Sequence, residues 1–116
     1  MLFRSFTCIY DSKATVITGL ETIDTSKVTN MRSMFINSKA SKLNLETFDT
    51  SKVTNMGNMF AGVNLTEPLN LSNFDTSNVT DMSSMFYLSA MKKCILSKKD
   101  NLFELLGIII NDNYLY

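Results

Sequence analysis

The sequence predicts an α/β solenoid in which short parallel strands alternate with short helices over about four coils of 25 or 26 residues. Three observations lead there. A segment recurs three times without gaps, each copy mixes two apolar periods, and a unit of that length cannot bury its apolar face alone. Stacking solves the last problem, because equivalent Leu, Phe, Val and Met residues of successive units form one continuous column. Parallel strands at about 4.8 Å would then align these residues as ladders.

The recurring segment is Asp24-Thr-Ser-Lys-Val-Thr-Asn-Met-Arg-Ser-Met-Phe35, then Asp49-Thr-Ser-Lys-Val-Thr-Asn-Met-Gly-Asn-Met-Phe60, then Asp75-Thr-Ser-Asn-Val-Thr-Asp-Met-Ser-Ser-Met-Phe86. The steps between copies are 25 and 26 residues. A half-motif precedes each copy: Leu20-Glu-Thr-Ile23, Leu43-Asn-Leu-Glu-Thr-Phe48 and Leu69-Asn-Leu-Ser-Asn-Phe74. The extra residue falls between Phe60 and Leu69, beside Gly62 and Pro68, and belongs in a loop. Ile9-Tyr10 and Ser12-Lys13-Ala14 extend the pattern backwards, and Cys94-Ile-Leu96 extends it forwards.

Leu43 and Leu45, and likewise Leu69 and Leu71, alternate with Asn44 and Asn70, as in a strand with one buried face. Val28, Met31, Met34 and Phe35 fall at i, i+3, i+6 and i+7, which suits one face of a short helix. Thr29, Thr54 and Thr80 stand where N-caps of those helices belong. Asp24, Asp49 and Asp75, each followed by Thr-Ser, read as turns closed by their side chains. The core is expected to contain Leu43, Leu45, Phe48, Val53, Met56, Met59 and Phe60.

The repeat region accordingly runs over residues 1–96, with units at about 9–34, 35–59 and 60–85 and a partial unit at 86–96. Residues 97–116 leave the pattern and form a non-repeat C-terminal cap or tail. Within them Leu102, Leu105, Leu106, Ile109 and Ile110 follow helical spacing, so a capping helix over about 101–108 is expected, with Gly107 as its weak point.

Composition narrows function. Eleven Lys plus Arg balance eleven Asp plus Glu, so a nucleic-acid partner lacks its electrostatic driving force. Histidine is absent, which removes the commonest general base and imidazole ligand. Cys8 and Cys94 lie outside any CxxC, and cannot build a zinc site or a multi-bridge framework. No cofactor is expected. The start of the chain turns polar too soon for a signal h-region, and no apolar run reaches the 18 or so residues of a membrane span.

The motif D-T-S-[KN]-V-T-[ND]-M-x-x-M-F, with L-x-L-x-x-F before it, resembles the BspA-like leucine-rich-repeat family of bacterial surface proteins, whose unit is also known as a surface-protein repeat domain of unknown function. The resemblance is strong over 24–86, weak over 9–23 and 87–96, and absent over 97–116. It implies a leucine-rich-repeat-like solenoid at the cell surface or secreted, used for adhesion or host interaction, with no catalytic residues. The Gly-Cys-Ser stretch common in that family after Met-Phe is replaced here by Ile36-Asn37-Ser38 and Ala61-Gly62-Val63. The sequence shows neither an export signal nor an anchor, and a cytoplasmic protein or a fragment of a longer one would read the same way.

Two sharper chemistries compete with plain packing. The pairs Met31/Met34, Met56/Met59 and Met82/Met85 could bind a soft metal, but their helical spacing beside Val and Phe assigns them to the core. Asp24, Asp49 and Asp75 could line up as calcium ligands, but three local turns explain them more simply. The polar ladder beside the strands, Asn44, Glu46, Asn70 and Ser72, is the candidate interaction face. The function expected is therefore a non-enzymatic surface interaction or adhesion module that binds a host or matrix protein or a glycan. The alternative is a structural spacer or truncated fragment with no ligand of its own. An enzyme using Asp and Ser is the rival from another class, disfavoured because identical residues spread along a ladder instead of converging on one pocket. End-to-end self-association is a further partnership that stacked units allow.

Overall fold

The computed structural model describes residues 15–91 and 93–96. Each copy of the repeat closes on itself through five short turns, in which an N–H donates to the carbonyl three residues earlier. In the middle copy the pairs are Phe48 to Leu45, Val53 to Thr50, Met59 to Met56, Ala61 to Asn58 and Val63 to Phe60, at 3.0–3.3 Å. The first and third copies repeat the same five bonds at equivalent positions.

The expected α/β solenoid is therefore wrong. Among the described residues there is no α-helix, only one 3-10 turn at Leu20–Thr22 entered through Gly19 at φ 86. Strands are equally sparse: β1 (Asn64–Leu65) pairs in parallel with β3 (Ala90–Met91), and β2 (Leu69–Leu71) with β4 (Cys94–Leu96), as two separate two-stranded sheets. The chain packs as a compact globule with a radius of gyration of 12.8 Å, near the value of about 13 Å usual for a domain of some 100 residues.

The helices fail for a reason visible in the backbone. Ser33, Asn58 and Ser84 sit at φ 56–58, and four residues later Asn37, Gly62 and Leu88 sit at φ 54–72. Left-handed residues at that interval interrupt a right-handed helix twice within one turn or so. The donors a helix would use internally also go elsewhere. Met31, Ser33, Phe35 and Asn37 donate to the carbonyls of Asn55, Gly57, Met59 and Ala61, and Met56, Asn58, Phe60 and Gly62 to those of Asp81, Ser83, Met85 and Tyr87, all at 2.8–2.9 Å. The proposed N-caps do not cap: Thr54 donates through N and Oγ1 to the Thr29 carbonyl, and Thr80 likewise to that of Thr54.

A second set of bonds between copies comes from buried threonines. Thr25 Oγ1 donates to the Asp49 carbonyl at 3.1 Å and accepts from its N–H at 2.8 Å, and Thr50 does the same with Asp75 at 3.0 and 2.8 Å. Isolated parallel bridges join Asn30 to Asn55 and Asn55 to Asp81.

The apolar core lies where the spacing places it. Leu43, Leu45, Phe48, Val53, Met56, Met59 and Phe60 are all buried. So are the paired methionines, which pack as core side chains. Phe60 stacks between Phe35, at 5.8 Å, and Phe86, at 5.5 Å, with near-parallel rings. The register Leu69 to Cys94 and Leu71 to Leu96 confirms Cys94-Ile-Leu96 as the equivalent of the Leu-x-Leu segment. The expected cap or tail at 97–116, its helix at about 101–108, and the Ile9-Tyr10 end of the first unit lie outside the described residues.

Candidate functional site

The four residues of the expected face occupy different environments. Asn44, Glu46 and Ser72 are exposed, while Asn70 is half-buried in β2 opposite Ile95. Both asparagines are committed locally: Asn44 Oδ1 accepts from the Glu46 N–H at 3.2 Å, and Asn70 Oδ1 from that of Ser72 at 3.0 Å. Beside them, Asn73 Nδ2 reaches the preceding copy and donates to the carbonyls of Leu45 and Phe48 at 3.0 and 2.9 Å. What faces solvent there is thus a row of turns fixed by their own side chains.

Of these four, Asn44 lines a cleft among the described residues. An open cavity of about 560 Å³ is lined by Thr15, Val16, Ile17, Thr18, Glu21, Ser41, Lys42, Asn44 and Glu67. Its wall crosses three copies. Ser41 donates through N and Oγ to the Thr15 carbonyl, and the Ser41 carbonyl accepts from the N–H groups of Thr66 and Glu67 at 3.0 and 3.2 Å. Val16, 68% exposed, gives the cleft an apolar edge, and Ile17 packs against the core beneath it. Hydroxyls, one amide, two carboxylates and one ammonium face a common space, a mixture suited to holding a polar ligand.

Glu46, Asn70 and Ser72 stay outside that lining, and seven of its residues carry no repeat signal. Sequence reasoning missed them because it followed what recurs. The one available signal was the single-residue insertion between Phe60 and Leu69, which holds Glu67.

The aspartates close turns as expected. In Asp24, Asp49 and Asp75 the Oδ1 atom accepts from the N–H of the serine two residues on at 2.9–3.0 Å and from its hydroxyl at 2.6 Å. Asp81 does the same with Ser83 and also faces Arg32 at 3.6 Å. These serine donors hold all four carboxyls below the usual carboxylate range. Gly57 leaves room for the arginine, since a Cβ there would stand 3.2 Å from Arg32 Nη1. Among the described residues, no cluster of three acidic or cysteine side chains is disposed to hold a metal. Cys94 is free and buried, and burial pushes its thiol up to about 12, so it is un-ionised at neutral pH.

A family model described as "Mycoplasma protein of unknown function, DUF285" matches residues 4–100, which span every described copy. The chain belongs to this family. Neither the curated proteins nor the solved structures give a match. The family match covers the whole cleft as well as the turn-closing aspartates, so both features lie in the part of the chain that defines membership. No helix among the described residues is long and apolar enough to cross a membrane.

Proposed function

We propose that the chain is a non-enzymatic interaction module, presented at a cell surface or secreted, that binds a host or matrix protein or a glycan. The observation that carries this reading is the open cleft between Thr15–Thr18 and Ser41–Asn44, walled by three successive copies and lined by unlike polar groups. The resemblance of the D-T-S-x-V-T-x-M motif to BspA-like surface proteins supports the surface setting. The Asp and Ser pairs an enzyme would need each close a local turn, with the serine hydroxyl donating to its own aspartate. A nucleophile needs a base that takes its proton onward to a substrate, and here every such pair repeats without convergence.

Lys42 and Glu67 offer the cleanest test, because both line the cleft and neither side chain makes a hydrogen bond to another side chain or to the backbone among the described residues. Binding of the parent chain and of the Lys42→Ala/Glu67→Ala variant should be compared on immobilised matrix proteins and on a glycan array. The variant is expected to lose about tenfold in affinity, roughly 1.4 kcal/mol, with an unchanged thermal melt. A parent chain that binds neither surface would favour a structural spacer, and equal binding by the variant would remove the cleft from the reading.

A further inference from the structure

The cleft holds charges that do not neutralise one another. Glu21, Lys42 and Glu67 come from three successive copies and line one space of about 560 Å³, yet none of the three side chains makes an ion pair or a hydrogen bond among the described residues. Two carboxylates against one ammonium leave that space net negative. The rest of the lining narrows what could enter it. None of the nine lining residues is aromatic, so a sugar ring finds no flat face on which to stack its C–H groups, and a quaternary ammonium finds no aromatic cage. A phosphate or sulfate would meet two carboxylates for one ammonium. Val16, 68% exposed, and the half-buried Ile17 add an aliphatic surface beside the charges.

We propose that the cleft takes a protein segment bearing a lysine or arginine next to an aliphatic residue, Glu21 and Glu67 receiving the cation and Lys42 meeting an acidic or carbonyl group of the same segment. A basic side chain suits this lining in two ways, because its methylene stem can lie along Val16 while its charged end reaches the carboxylates. The proposal rests on the cleft's being the interaction site, and it selects a protein over a glycan as the partner.

The departures from the repeat limit the stoichiometry. With Leu43 and Leu69 equivalent, Pro68 stands where Lys42 does, and Glu67 belongs to the stretch that carries the extra residue. Glu46, the counterpart of Glu21, lies outside the lining. This set of three charges therefore does not recur along the described copies. One segment per chain is expected to bind, whereas a ladder of equivalent residues would take several.

Selection of phage-displayed random peptides on the full chain, followed by calorimetric titration of the selected peptide, tests the proposal. Selected sequences should be enriched in Lys and Arg over the input library, bind one per chain, and bind several-fold more weakly when salt rises from about 50 to about 500 mM. Glu21→Gln/Glu67→Gln should lose about tenfold in affinity with an unchanged melt, since both side chains are exposed and make no bond within the described fold. Glu21→Lys/Glu67→Lys should turn the selection toward acidic peptides. No selected peptide, a selection without basic residues, several peptides per chain, or a Gln variant that binds like the parent would each overturn the proposal. If one of these occurs while Lys42→Ala/Glu67→Ala still loses binding to a glycan or a matrix protein, the partner class is wrong and the cleft remains the site. If the cleft variants lose nothing on any surface, both readings fall.

Discussion

Thr50 shows how much one hydroxyl can carry. It is buried, gives a hydrogen bond to the Asp75 carbonyl and receives one from the Asp75 N–H, so a single side chain satisfies both backbone groups of a residue in the next copy. Valine has the same shape without the hydroxyl. Thr50→Val would leave a donor and an acceptor unpaired in a part-buried seam, and is expected to cost about 1–3 kcal/mol. Chemical denaturation should read that loss, and Thr50→Ser should recover most of it. The role was hidden in the sequence, where Asp-Thr-Ser reads as a turn. The turn is real, but the threonine points out of it toward another copy, a partner no local pattern names.

Turns are the elements of this molecule, and the aspartate-closed ones make it sensitive to acid. Serine donors hold the carboxyls of Asp49 and Asp75 below their ordinary values. A pKa lowered by folding adds stability that is complete above the unfolded value and is lost as pH falls through the folded one. The melting temperature should therefore fall between pH 6 and pH 3 in part because these turns protonate. Asparagine keeps the accepting oxygen and removes the titration. The double variant Asp49→Asn/Asp75→Asn is expected to melt lower than the parent at pH 6 and to show a shallower decline toward pH 3. A decline as steep as the parent's would assign the acid sensitivity to other groups.

Across the whole molecule, stability concentrates in the middle copy, because its core residues touch both neighbours. Phe60 stacks on Phe35 and Phe86 at once, whereas Phe86 is slightly exposed and Val79, Met82 and Met91 at the same end are 7–8% accessible. Phe60→Ala should cost about 3–5 kcal/mol, the usual range for a fully buried aromatic. Phe86→Ala should cost less, and a thermal melt indifferent to Phe60→Ala would place that ring outside the core.

Which residues are buried was settled by the sequence itself. Three copies with the same apolar positions demand a shared core, whatever the backbone between them does, and Leu43, Leu45, Val53, Met56 and Phe60 all lie in it. The aspartate turns were legible for a similar reason, since Asp and Ser two residues apart can bond without help from elsewhere. The backbone class was not legible. Val28, Met31, Met34 and Phe35 satisfy a helical spacing, yet tight turns put the same residues on one side as well. Periodicity records which side chains face inward and is silent about where an N–H finds its acceptor. That choice fell to tertiary structure: donation from Met31, Ser33, Phe35 and Asn37 to the next copy takes the bonds a helix needs, and it exists only once two copies meet. The cleft depends on the same meeting, because Thr15, Ser41 and Glu67 are distant in sequence and adjacent only across three copies.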